Sequence, residues 1–165
     1  MKKLLSILLL LVLAAANTTA LDAIATDGVF TGMSGTWKLN LQKSILGKEK
    51  ETPREVIAEI RYARPAFEVK VTKKLRAGDD VANYRYFTDG KPATNTAEGM
   101  AWKTQSLRST AREMLLDQTS RYMLFTIAVS DRWSLSEDGR QLTIERTVQS
   151  IPRNEKIKYV FERQS

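Results

Sequence analysis

From Gly35 to the end of the chain, apolar and polar residues alternate with a period of two. This period puts one set of side chains on each face of an extended strand and does not suit an amphipathic helix. Trp37 and Leu39 oppose Lys38 and Asn40. Val56, Ala58, Ile60 and Tyr62 oppose Glu55, Glu59 and Arg61, and Phe67, Val69 and Val71 oppose Glu68, Lys70 and Thr72. In "VANYRYF", Tyr84 and Tyr86 share a face. The longest run places Met123, Phe125, Ile127 and Val129 in one phase, continuing through Asp131 to Trp133 and Leu135. Leu142, Ile144 and Val148, then Ile157, Tyr159 and Phe161, close the series. Turn signals separate the runs: Pro53, Pro65, "AGDD", "TDGKP", "SEDGR" and the Pro152–Asn154 stretch.

The middle of the chain is ambiguous. "AWKTQSLR" reads as a strand beginning near Trp102. "TAREMLLDQ" combines a capping-box pair, Thr110 and Glu113, with helix-favouring "REMLL". Its shortness and its place between strands favour a strand. The total is about eight or nine strands, an all-β antiparallel barrel, with no long helices to support a parallel α/β sheet.

The first twenty residues differ from the rest. Lys2 and Lys3 precede an apolar run, Leu4 to Leu13, and then small residues. This is the three-part pattern of a secretory signal peptide, cut after Ala20 or alternatively after Ala16. The run is shorter than the roughly 20 residues that span a bilayer. Three segments are therefore expected: a leader over 1–20, a lead segment over 21–34 without clear period, and one β-domain over 35–165. The expected location is exported, periplasmic or secreted, with no stable membrane span once the leader is removed. The chain has no Cys, so the fold must rest on packing and β-pairing rather than disulfides. Net charge is +7, falling to +5 without Lys2 and Lys3, and the cations are scattered. No basic, aromatic-interleaved motif suggests a nucleic-acid partner.

"GTWKLNLQKS", "YFTDGKP", "LSEDGRQLTIERTVQS" and "YVFERQ", in that order, resemble bacterial lipocalin-like periplasmic proteins, within the lipocalin and fatty-acid-binding superfamily marked by Gly-x-Trp. The resemblance runs from Gly35 to Gln164 and implies an up-and-down barrel. It gives Gly35 and Trp37 the role of closing the narrow end, where a Gly permits close approach and a Trp forms a plug. It also implies an Arg from a late strand covering that Trp. Arg146 and Arg163 are the candidates. Arg146 lies between Ile144 and Val148, so three readings stand: stacking on Trp37, pairing with a ligand carboxylate, or turning outward at a bulge. The last strand of fatty-acid-binding proteins carries an Arg-x-Tyr clamp. Here Tyr159 and Phe161 occupy those places, so that clamp is not expected.

Without His or Cys, neither a Ser-His-Asp triad nor a Cys-His pair can be built, and zinc loses its favoured ligands. "GDD" and "SEDG" are turns with too few oxygen ligands for calcium. No metal, no cofactor and no catalytic residue is assigned. Tyr84, Tyr86, Phe125, Trp133, Arg146 and Tyr159 are the candidate ligand-binding residues. The leading expectation is non-catalytic binding of a small hydrophobic or amphipathic ligand in the cell envelope. The alternative is a barrel filled by its own side chains that binds another envelope protein; an enzyme on this fold ranks third.

Overall fold

The computed structural model describes residues 30–47, 51–97, 99–110, 112–150 and 153–165. The leader and residues 21–29 lie outside the described residues. Ten strands follow a helical turn at Phe30–Met33: β1 (Gly35–Leu39), β2 (Glu55–Ala63), β3 (Ala66–Lys74), β4 (Asp79–Phe87), β5 (Thr94–Ala97), β6 (Met100–Ser109), β7 (Glu113–Tyr122), β8 (Phe125–Leu135), β9 (Gln141–Ser150) and β10 (Arg153–Arg163). They form one antiparallel sheet in the order β4-β3-β2-β1-β10-β9-β8-β7-β6-β5. β1 pairs with both β2 and β10, which rolls the sheet into a nearly closed barrel.

The count of ten corrects the expected eight or nine. The additional strand is β5, only four residues long, which pairs with β6 across the stretch containing Gly99. A strand this short has too few residues to display a period. A second feature hid its neighbour. β6 changes register against β7 between Thr104 and Ser106, leaving Gln105 without a cross-strand partner. Such a bulge reverses the in–out phase along a strand, and "AWKTQSLR" therefore shows no single alternation.

β7 is a strand despite its helix-favouring composition. Met114, Leu116, Gln118 and Ser120 are buried in strict alternation, and pairing on both sides outweighs intrinsic propensity. The Thr110–Glu113 pair does form a cap-like contact, with the Glu113 amide donating to Thr110 Oγ1 at 3.2 Å. It serves the link into β7 instead of a helix.

β4 and β5 meet without a backbone ladder. Asn95 spans the seam: it accepts from the Arg85 amide at 2.7 Å and donates Nδ2 to the Arg85 carbonyl at 3.1 Å. One side-chain amide thus supplies the donor and acceptor that a paired strand residue would offer.

The core fills the base of the barrel, the end where β1 begins. Trp37, Phe30, Phe67, Met33, Met114, Leu116 and Leu142 are fully buried there. Phe30 packs on Tyr62 and Phe67 with ring centres 5.2 Å apart in each case, so the helical turn before β1 acts as a plug. Trp37 donates Nε1 to the Met33 carbonyl at 2.8 Å. The Arg163 guanidinium lies 4.2 Å from the centre of the Trp37 ring. Arg163 is also fastened by its Nε to the Gly139 carbonyl and its Nη1 to the Ser34 carbonyl, both at 2.8 Å, and by Nη2 to the Gly32 carbonyl. Of the two candidate arginines, Arg163 covers the Trp and Arg146 does not.

Candidate functional site

Moving away from the base, the inward-facing positions change character. On β8 they run Leu135, Trp133, Asp131, Val129; on β9, Leu142, Ile144, Arg146, Val148; on β7, Met114, Leu116, Gln118, Ser120. The change falls at one level across the strands, because Leu116 pairs with Asp131, Asp131 with Arg146, and Arg146 with Ile157. Below this level the barrel is apolar. At and above it, polar groups enter.

The Arg146–Asp131 pair is the centre of this layer. Arg146 donates Nε to Asp131 Oδ1 at 2.7 Å and Nη2 to Oδ2 at 2.8 Å. This two-pronged geometry matches the fork of a guanidinium to a carboxylate. Asp131 is 2% exposed. The Arg146 side chain is enclosed by protein yet keeps 34% of its surface uncovered, so it borders internal space. Burial works against its charge. The Asp131 carboxylate more than offsets this and holds the guanidinium pKa above its ordinary value, so Arg146 stays protonated. Asp131 engages both Nε and Nη2 of the guanidinium.

Aromatic rings surround the pair. Arg146 stands 5.8 Å from the centre of the Tyr159 ring. Tyr86 is buried close by, and its pKa is pushed up by burial first and by the negative charge of Asp131 second, keeping the phenol neutral. Tyr84 stacks parallel to Tyr86 with centres 6.5 Å apart. Trp133 meets Phe67 edge-on at 6.0 Å. Four buried polar atoms on β6, β7 and β8, namely Thr104 Oγ1, Ser109 Oγ, Ser120 Oγ and Trp133 Nε1, have no hydrogen-bond partner among the described residues.

A hollow of about 340 Å³ lies at the seam between β4 and β5, lined by inward-phase Val71, Ala82 and Tyr84 and by outward-phase Val81, Asn83 and Thr96, so it opens through the wall of the barrel. Its volume lies within the range of small-molecule sites. A second hollow, of about 540 Å³, is bordered by Glu59, Arg61, Lys70 and Arg85. Inward-phase Ile60, Val69, Tyr84 and Asn95 border it as well, so it too lies across the β4–β5 edge of the barrel wall. Tyr84 borders both hollows and stacks on Tyr86, which lies close to the Arg146–Asp131 pair.

Five of the six candidate ligand-binding residues, Tyr84, Tyr86, Trp133, Arg146 and Tyr159, are therefore gathered inside the barrel. Phe125 is not among them. It is 53% exposed at the tip of the β7–β8 hairpin, because Met123 and Leu124 form a two-residue turn between Tyr122 and Phe125. Phe125 does share the phase of Val129 and Asp131, but it is the first residue of β8, ahead of the stretch that pairs with β9. Asp131 had been placed on the inward phase but given no role, although it is the group that holds Arg146. The signal was available: an acid and a base each stood at an inward position of a strand, but a cross-strand pair becomes visible only when the register is known.

No protein-family profile matches the chain, and no curated protein matches it. Among solved structures, the chain is similar to the ileal bile acid-binding protein of zebrafish in complex with cholic acid, with a TM-score of 0.52 at 10% identity. The match covers 81% of this chain and 99% of that one. At this identity the likeness concerns the fold. The protein is an antiparallel ten-stranded, nearly closed β-barrel, with a fold similar to that of the bile acid-binding protein.

Proposed function

We propose that the barrel binds, without catalysis, a small amphipathic molecule, with its apolar body along Tyr84 and Val71 and its polar head at Arg146. The observation that carries this reading is Arg146 itself. It is a charged donor fixed in place by a buried carboxylate, and a third of its side chain faces internal space. A fixed donor pays little ordering cost when a ligand arrives. Asp131 already balances its charge, so the preferred head group is a hydrogen-bond acceptor, with a carboxylate as one case. The likeness to a barrel that holds cholic acid supports a ligand of this class. The leader pattern supports a site of action in the cell envelope.

Native mass spectrometry on the exported protein, purified without detergent, tests the reading. An additional mass that disappears on denaturation is the expected result, with cholate uptake reduced in Arg146→Gln. Repeated absence of any such mass, together with no uptake of cholate or of a fluorescent apolar probe, would overturn it in favour of a barrel filled by its own side chains.

A further inference from the structure

We infer that the β7–β8 hairpin is a membrane-docking tip that inserts into an anionic bilayer surface. Four consecutive residues at this tip are apolar and uncovered: Tyr122 is 55% exposed, Met123 80%, Leu124 90% and Phe125 53%. Large apolar side chains exposed in one cluster mark an interaction site, unlike the same residues scattered singly. The hairpin also stands clear of its neighbours. β6 pairs with β7 only as far as Ser120, and β9 meets β8 only from Ala128, so residues 121–127 are paired on neither outer edge.

The backbone gives a second, independent sign. Met123 is the single non-glycine residue with positive φ among the described residues, at 53°. Gly, Asn or Asp ordinarily occupies such a position in a two-residue hairpin turn. A methionine there accepts local strain while presenting a side chain that nothing in the protein covers.

The order of residues along the tip matches the depth profile of a lipid surface. Met123 and Leu124 lead, suited to the acyl region. Tyr122 and Phe125 flank them at the level where aromatic rings favour the interface. Arg121 follows one step behind, and Lys103 stands outward on β6 opposite Thr119. From Gln118 to Ser130 the chain has no acidic residue and carries Arg121, so the hairpin itself suits negative headgroups. From Arg121 to the turn is two or three residues, about 7–10 Å of extended chain, comparable with the roughly 5–10 Å to which interfacial elements penetrate. The tip is convex, so it fits a deformable lipid surface better than the flat face of a second copy. It projects from the same end as the 340 Å³ hollow, since β3–β4 and β5–β6 turn there too. The inference does not depend on what the barrel holds.

The chain has no cysteine, so a single label can be placed anywhere. An environment-sensitive fluorophore is attached to Leu124→Cys, and in a second protein to Arg140→Cys, in the β8–β9 turn at the opposite end. Each is mixed with vesicles of phosphatidylcholine alone or with phosphatidylglycerol added. Emission at 124 is expected to shift to the blue and become shielded from an aqueous quencher with the anionic vesicles, while 140 stays unchanged. Reading the local environment separates the tip from any binding through the N-terminal apolar run. Adding Met123→Ser and Phe125→Ser is expected to weaken the vesicle partitioning read at 124 by tenfold or more, on the order expected for two lost apolar contacts, with the denaturation midpoint unchanged. No shift at 124 with either vesicle, an equal shift at both sites, or a shift without vesicles that grows with protein concentration would overturn the inference. The last of these would assign the tip to self-association.

Discussion

Arg163 lies over the face of Trp37, 4.2 Å from the ring centre, while its nitrogens bind the carbonyls of Gly32, Ser34 and Gly139. One side chain from the last strand thus joins the first strand, the helical turn before it and the β8–β9 turn. Trp37→Ala is expected to destabilise the domain by about 3–5 kcal/mol, through lost burial and the cavity left behind. Gly35→Ala is a subtler probe of the same closure. Its φ is +139°, and an added Cβ would sit 2.7 Å from Arg163 Nη1, an atom held by its hydrogen bonds. Backbone strain and this clash together should cost about 1–3 kcal/mol. Urea denaturation checks both, and unchanged midpoints would show that the base does not depend on this contact.

The Arg146–Asp131 pair predicts a non-additive result. Asp131→Asn leaves an enclosed guanidinium without its counter-charge. Breaking a fully buried pair costs roughly 3–5 kcal/mol, and the open side of Arg146 reduces this to about 2–3 kcal/mol. The double variant Asp131→Leu with Arg146→Met should recover most of that stability, since an apolar pair of similar volume needs no desolvation. It should not recover binding of an amphipathic ligand. A double variant no more stable than Asp131→Asn would contradict this account of the pair.

Asn95 predicts a local effect. Asn95→Ala removes both bonds across the β4–β5 seam at a cost of about 1–2 kcal/mol. Asn95→Asp keeps an acceptor for the Arg85 amide but sets a carboxylate against the Arg85 carbonyl, so it should be at least as damaging. Hydrogen exchange at the Arg85 amide is the readout. Protection there should fall in both variants while protection in the β7–β8 ladder persists.

On the outer face, Glu55 is held between Lys38 and Lys74, each at 2.6 Å. Their hydrogen bonds, Lys38 first, lower its carboxyl pKa from an ordinary 4.5 to about 2. A lowered acid pKa stabilises the fold above its unfolded value, and that contribution is lost as pH falls from 4.5 towards 2. Carbon-detected NMR titration should find Glu55 ionised at pH 3.5 in low salt, with the shift reduced as salt screens the exposed cluster. An ordinary titration in low salt would show that the lysines do not hold it.

The period of two from Gly35 onward was enough to establish an all-β antiparallel chain, because alternate burial is a local property of each strand. The Gly-x-Trp resemblance also pointed to Gly35 and Trp37 at the start and implied an Arg from a late strand over the Trp, with Arg146 and Arg163 as candidates. Four matters were decided only by the tertiary structure. β5 is too short to carry a period, and the bulge at Gln105 scrambles that of β6. Whether Met123 continues a strand or turns a hairpin depends on the partners of β7 and β8, and the turn leaves Phe125 at the exposed tip although it keeps the inward phase. The assignment of Arg163 to Trp37 and of Arg146 to Asp131 depends on cross-strand register. Trp37 and Arg163, 126 positions apart, become neighbours only when the first strand meets the last, while Asp131 and Arg146, 15 apart, meet across the β8–β9 hairpin once its register is set. Alternation reports which face a side chain occupies, and register, a property of the whole sheet, decides whom it meets there.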